Sequence, residues 1–225
     1  MVVGREVVAA GARLGLALDG DADRLMAADH SGETVDGDQI MAILARELHD
    51  AGRLKHDTVV VTVMTNLGFR LGMEASGIRV IETQVGDRYV LEALDSGGYS
   101  LGGEQSGHVI MRDLASTGDG MLTGLLLSDV VCRTGTPLRA LADAAMQRLP
   151  QVLVNVRLDR NDPTLIERLG PDIADTQSAL GSNGRVLVRP SGTEPLLRVM
   201  VEAPTADQAR SAADRLAIRA RELAS

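Results

Sequence analysis

The sequence predicts an α/β protein, and three observations carry that expectation. The run TVVVTV at 58–63 is continuously β-branched, the mark of a strand covered by helices on both faces, as in parallel sheets. From there to about residue 147, strand-like runs alternate with segments whose apolar residues recur at helical spacing. After Pro150 the pattern restarts on a smaller scale, with three apolar strand runs and a final amphipathic helix. The expected architecture is a mixed α/β domain followed by a smaller C-terminal α+β domain, with a partial α/β piece ahead of both.

In chain order, REVVAAGA at 5–12 is a short amphipathic piece and LGLAL at 14–18 a strand. They supply few sheet partners upstream, so the chain is expected to begin inside a domain. SGETVDGDQ at 31–39 is rich in turn formers, and Asp36 or Asp38 can cap a helix over about 38–51. Ile40, Met41, Ile43, Leu44 and Leu48 form its apolar stripe, and Gly52 stops it. A strand at 58–63, a helix near 66–75, a strand at 78–83 and a helix over about 87–95 follow. Strand pieces at 99–102 and 107–111 precede helices at about 118–133 and 137–147, and Pro150 reads as a hinge. The remainder is expected as strand 152–158, two short helices across 162–180, strands 184–190 and 195–203, and a helix from 205. These elements divide into segments 1–52, 53–150 and 151–225.

Composition narrows the class. Lys and Arg number 23 against 31 Asp and Glu, a net charge of −8 that argues against a general nucleic-acid or anionic-membrane surface. There is no 18-residue apolar run and no signal-peptide pattern, so a cytoplasmic protein is expected. The single cysteine, Cys132, lies in LLLSDVVCRTG and reads as a packed thiol.

Three clusters carry chemistry. The first is DGDADR at 19–24, directly after LGLAL. Asp19, Asp21 and Asp23 alternate with small residues, so in a tight turn their carboxylates can converge on one hard cation, and an all-oxygen set suits Mg²⁺. An EF-hand also opens with alternating aspartates, but its sixth position would here be Arg24 and its twelfth His30, where glycine and glutamate are required. An aspartyl phosphatase is a second rival, with Asp19 attacking phosphorus; its later motif could only be GDG at 118–120, which follows RDLAST and no strand. A solvated acidic turn is the third.

The second cluster, GGEQSGH at 102–108, sits between two short strands. Its glycines admit a close ligand, Glu104 and Ser106 offer an acceptor and a donor for sugar hydroxyls, and His108 can bridge a phosphate or hydroxyl; an ordinary glycine-rich turn is the competing reading. The third, RPSGTEP at 189–195, lies between apolar strands. Ser191, Gly192 and Thr193 can aim backbone N–H groups and hydroxyls at one anion, with Arg189 and Arg198 adding charge. It lacks Walker-loop spacing and leads into a strand.

Taken in order, DGDADR, VDGDQI, VGDRYV, LGGEQSGH and RPSGTEP resemble the α-D-phosphohexomutases over nearly the whole chain. The resemblance implies interconversion of glucosamine 6-phosphate and glucosamine 1-phosphate by Mg²⁺-dependent phosphoryl transfer. Its roles fall on Asp19, Asp21 and Asp23 as metal ligands and on Arg24 beside the phosphoryl group. Glu104 and Ser106 grip the hexosamine, while Arg189, Ser191, Gly192 and Thr193 hold the non-reacting phosphate with Arg198 as helper. The family's phosphoserine donor has no counterpart among these residues, so the chain alone is expected to be inactive. It reads as an expressed portion, a gene start set at an internal methionine, or a naturally shortened protein. Many relatives carry a lysine, a candidate general base, where this chain has Gln84; Arg88 or His108 is left to act by orientation or proton relay. A non-catalytic hexose-phosphate-binding module is the alternative function, and the phosphatase a further one.

Overall fold

The computed structural model describes residues 2–158, 162, 164–191 and 195–224. The chain forms two compact units, Met1–Gln147 and Arg148–Ser225.

The first unit opens with helix α1 (Val2–Ala10), followed by an antiparallel sheet of β1 (Leu14–Leu18), β2 (Leu25–Asp29) and β3 (Thr34–Val35) in that spatial order. Strand β2 was not expected. LMAAD has little strand propensity, and it becomes a strand because hydrogen-bonded neighbours on both sides bury Leu25, Ala27 and Ala28 completely. Helix α2 (Gly37–Asp50) starts at a capping box in which the Asp36 side chain accepts from Gln39 N and the Gln39 side chain accepts from Asp36 N.

A second sheet has the order β5 (Arg79–Thr83), β4 (Thr58–Thr62), β6 (Leu101–Gly103), β7 (Val109–Met111). The first three strands are parallel and β7 runs antiparallel to β6. All five residues of β4 are buried, as its β-branched run requires for the central strand of a covered sheet. Helices α3 (Leu67–Ala75), α4 (Asp87–Gly97), α5 (Gly120–Thr134) and α6 (Leu138–Ala145) complete the unit. The main core joins α2, α3, α5 and α6 to β4 and β6 through Ile40, Leu44, Val59, Phe69, Leu101, Leu127 and Leu138. Cys132 departs from expectation: it faces solvent on α5, whose buried stripe runs instead through Thr123, Leu127, Val130 and Val131.

The turn between β2 and β3 is organised by one buried carboxylate. Asp29 accepts from Ser31 N at 2.8 Å, Ser31 Oγ at 2.6 Å, Glu33 N at 3.1 Å and Arg139 Nε of α6 at 2.8 Å. Burial pushes this carboxyl up, but the hydrogen bonds from Ser31, Arg139 and Glu33 outweigh it and hold Asp29 at about 2 against an ordinary 3.8. A folded-state pKa below the unfolded one stabilises the fold above pH 4, and that contribution fades as pH falls towards 2. Between pH 5 and pH 2 the wild-type chain is therefore expected to lose roughly 2 kcal/mol more stability than an Asp29→Asn chain, measured by urea unfolding.

The second unit is a three-stranded antiparallel sheet in the order β8 (Gln151–Arg157), β10 (Leu196–Glu202), β9 (Arg185–Pro190). Helices α7 (Leu165–Leu180) and α8 (Ala206–Ala224) share a core with it through Val156, Leu165, Leu169, Leu197, Val199, Val201, Ala213 and Leu216. The two short helices expected across 162–180 are one continuous helix. Pro171 lies inside it, and Leu165, Leu169, Ile173 and Leu180 keep one face on the core past the proline, so packing outweighs the lost backbone hydrogen bond. No helix among the described residues is long and apolar enough to cross a membrane.

Candidate functional site

The acidic hexapeptide is the loop of the β1–β2 hairpin, leaving Leu18 and returning at its partner Leu25. Arg24 N donates to Asp19 Oδ1 at 3.2 Å, closing the loop, while Ala22 sits at φ 61, the left-handed region that a non-glycine residue enters only at a cost. This geometry brings one carboxylate oxygen from each of Asp19, Asp21 and Asp23 within 4.8 Å of one another. Arg24 Nε stands 3.8 Å from Asp19 and 3.9 Å from Asp23. Among the described residues, Asp21 makes no side-chain hydrogen bond or ion pair, and the buried Asp23 Oδ1 has no hydrogen-bond partner. Three clustered carboxylates share one arginine, so the loop retains negative charge and open oxygen positions for a hard cation.

The loop 104–107 between β6 and β7 is the hub of this unit. Leu25 N donates to Gly107 O at 3.0 Å, and Arg24 and His108 form an antiparallel bridge, which ties the hub to the acidic hairpin. Gly37 N at the start of α2 donates to Gln105 O at 3.2 Å, and Gly86 N before α4 donates to Glu104 Oε1 at 3.0 Å. Four of the motifs singled out in the sequence thus meet at this loop, three of them through main-chain contacts and VGDRYV through the Glu104 carboxylate. Gly107 has φ +92, and a side chain there would also strike Leu25 O. A methyl group on Gly37 would lie 2.5–2.6 Å from Glu104 O, Gln105 O and Gly107 N, all backbone. Gly37→Ala is accordingly expected to destabilise the unit by about 1–3 kcal/mol and to raise amide exchange across 104–107, checked by denaturation and hydrogen exchange.

Ser106 is exposed at the tip of the hub. Arg88 lies along its own helix instead, its Nε 2.8 Å from Glu92 Oε1, which raises its pKa through that hydrogen bond. Two glycines that the sequence offered only as part of a phosphatase motif border the acidic loop and the His108 ring. Gly118 packs its backbone against the His108 ring, and Gly120 N donates to Ala22 O at 2.9 Å, so the GDG at 118–120 buttresses the acidic loop. Asp119 between them caps α5, its Oδ1 accepting from Leu122 N at 2.9 Å.

In the second unit, Arg189 and Arg198 are direct cross-strand partners on β9 and β10. Two cations directly opposite one another destabilise a sheet unless an anion lies between them. Ser191 follows at the strand end, its N donating to Leu196 O at 2.8 Å and its Oγ buried with no hydrogen-bond partner among the described residues. Gly192 and Thr193 lie outside the described residues.

Residues 36–149 match the family model for phosphoglucomutase/phosphomannomutase, alpha/beta/alpha domain III, and residues 153–219 match that for the phosphoglucomutase/phosphomannomutase C-terminal domain. The phosphoglucosamine mutase of Streptomyces coelicolor is 59% identical over 212 residues, covering 94% of this chain and 47% of that protein. That of Thermobifida fusca is 57% identical over 208 residues, 92% of this chain and 46% of that protein. The chain spans about half the length of the curated relatives it matches. Among solved structures, a phosphoglucomutase/phosphomannomutase family protein from Burkholderia thailandensis has a TM-score of 0.78 at 21% identity, covering 100% of this chain and 50% of that one. Aspergillus fumigatus N-acetylphosphoglucosamine mutase, in complex with GlcNAc-6P and magnesium, has a TM-score of 0.73 at 21% identity, covering 93% of this chain and 49% of that one. At that identity these two likenesses bear on the fold alone.

Proposed function

The chain belongs to the phosphoglucomutase/phosphomannomutase family, and on that basis we propose that it carries the metal-, sugar- and distal-phosphate-binding parts of a phosphoglucosamine mutase. The reaction is the interconversion of glucosamine 6-phosphate and glucosamine 1-phosphate. The observation that carries this reading is the convergence of the acidic hairpin and the 104–107 loop through the Arg24–His108 bridge and the Leu25–Gly107 hydrogen bond.

The donor set fits Mg²⁺: three carboxylates, one with a buried oxygen that has no hydrogen bond among the described residues, and no soft ligand among them. Asp19, Asp21 and Asp23 would hold the ion, which when bound neutralises charge on a phosphoryl group in transfer. Arg24, anchored to Asp19 through its own N–H, presents its guanidinium at the mouth of the same hairpin and stabilises that charge. Glu104, oriented by Gly86 N, accepts from a sugar hydroxyl, and Ser106 contributes its hydroxyl as donor or acceptor. Arg88 is a further sugar-phosphate contact if it exchanges Glu92 for the ligand. Arg189, Ser191, Gly192, Thr193 and Arg198 hold the phosphate that does not react. A loose phosphoryl transition state gains most from charge stabilisation and alignment, and these two sets of residues supply both.

The span of about half the relatives' length favours binding without turnover for these 225 residues by themselves. Titration calorimetry with glucosamine 6-phosphate is expected to show binding, and absence of heat together with unchanged amide shifts would remove the reading. Arg189→Ala is expected to weaken that binding by about 1.5–3 kcal/mol, the scale of a hydrogen bond to a charged group. Equal affinity in the variant would place the anion elsewhere.

A further inference from the structure

The chain contains one phenylalanine, two tyrosines and no tryptophan. Phe69 is in the core, and Tyr99 meets the His56 ring edge-on at 5.9 Å. Tyr89 is the exposed one, at 38%. Helix α4 does not use it for packing, since the buried residues of that helix are Val90 and Leu94. Its place on the sheet gives it a use. Strands β5, β4 and β6 are parallel, so the segments 63–66, 84–86 and 104–107 all leave their carboxyl ends, where open α/β sheets bind ligands. Tyr89, in the first turn of α4, stands at that end, whereas Tyr99 and His56 precede β6 and β4 at the other.

Gly86 holds this ring beside the Glu104 carboxylate. Its N–H donates to Glu104 Oε1 at 3.0 Å, its carbonyl accepts from Tyr89 N at 3.0 Å, and a Cβ on it would lie 3.5 Å and 3.8 Å from Tyr89 Cδ2 and Cε2. Val85, just before the glycine, is an exposed apolar neighbour. Arg88 Cζ is 6.0 Å from the ring centroid, the outer limit of a cation–π contact, and one guanidinium covers one ring face at most. A pyranose offers the complement of this arrangement, with hydroxyls around its rim and C–H groups across its face. We infer that Tyr89 is a sugar-contact residue, its ring packing on the C–H face of the hexosamine while Glu104 accepts from a hydroxyl at the rim. The inference rests on the sugar-binding reading of the 104–107 loop and adds the apolar half of that subsite. The ring touches the sugar and not its phosphate, so it separates a pyranose phosphate from an acyclic one of equal charge.

The test titrates the full chain with glucosamine 6-phosphate and, as a phosphate without a sugar ring, with glycerol 3-phosphate. Tyr89→Phe keeps the ring and is expected to stay within about twofold of wild type for the sugar phosphate. Tyr89→Ala is expected to weaken glucosamine 6-phosphate by roughly 5- to 20-fold and to leave glycerol 3-phosphate unchanged. An alanine variant that binds the sugar phosphate like wild type, one that loses both ligands alike, or a phenylalanine variant that falls as far as alanine overturns the role. Saturation transfer from tyrosine ring protons to the sugar C–H groups gives a readout in wild type that depends on no variant folding. Transfer from Tyr89 is expected, with Tyr99 at the far end of the sheet as the internal control, and its absence from Tyr89 overturns the inference. Wild type that binds no glucosamine 6-phosphate sinks the sugar-binding reading and the inference together. Normal wild-type binding with a silent Tyr89 sinks the inference alone.

Discussion

An Asp21→Ala chain is expected to lose at least about tenfold in Mg²⁺ affinity while its metal-free form unfolds no earlier than wild type. The two halves of that result have separate causes. Affinity falls because one of three clustered carboxylates is gone, and a hard cation is held by ligand number and charge. Stability is unharmed because Asp21 contributes repulsion and no compensating contact. Like charges about 5 Å apart cost roughly 1 kcal/mol in a water-like medium, and the hairpin's arginine sits beside Asp19 and Asp23, leaving Asp21 without an ion pair among the described residues. In wild type, Mg²⁺ at a hundred times its Kd raises stability by about 2.7 kcal/mol, an increment that shrinks in the variant at the same concentration. Thermal unfolding with and without Mg²⁺, beside a direct titration, measures both halves. Unchanged affinity would remove Asp21 from the ligand set, and an earlier metal-free transition would mean that the hairpin relies on this side chain for a structural contact.

Much of this was legible in the sequence, for reasons that can be located. Strand β4 announces itself because a covered strand needs apolar residues on both faces, and TVVV meets that need without help from elsewhere. Helix α2 is equally local: an Asp cap, a Gln three residues on and a regular apolar stripe. The motifs stood out as local clusters of carboxylates, glycines and hydroxyls, and the fold brings four of them to one loop. What escaped depends on contacts distant in sequence. LMAAD is a strand only between β1 and β3, and helix α7 survives Pro171 only because its face is held by the second unit's core. The glycines at 118 and 120 look like a degenerate phosphatase motif until the fold brings them against His108 and Arg24. No local pattern encodes a neighbour some 95 residues upstream, such as Arg24 is to Gly120.

The largest stability effect is expected at Arg139, which holds the best-buried charge in the first unit. Its Nε meets Asp29 Oδ2 at 2.8 Å, its Nη2 donates to Thr34 O at 3.1 Å, and the Asp29 side chain has no exposed surface. Removing one member of a buried pair leaves the other uncompensated, which costs about 3–5 kcal/mol where nothing else supports it. Here Ser31 and Glu33 still donate to Asp29, so Arg139→Ala is expected near the lower end, about 3 kcal/mol at pH 7. The sign of its pH dependence follows from the same carboxyl. Wild type loses its Asp29 contribution as pH falls from 4 towards 2, whereas the variant has already lost part of it, so the two stabilities converge in acid. Adding Asp29→Asn to Arg139→Ala should cost less than the sum of the single changes, since each removes the same interaction. Urea unfolding of the four chains at pH 7 and pH 2.5 decides the matter. A cost below about 1 kcal/mol at pH 7, or one that does not shrink in acid, would show that this pair contributes no more than a surface bridge and that the β2–β3 turn is held by its backbone alone.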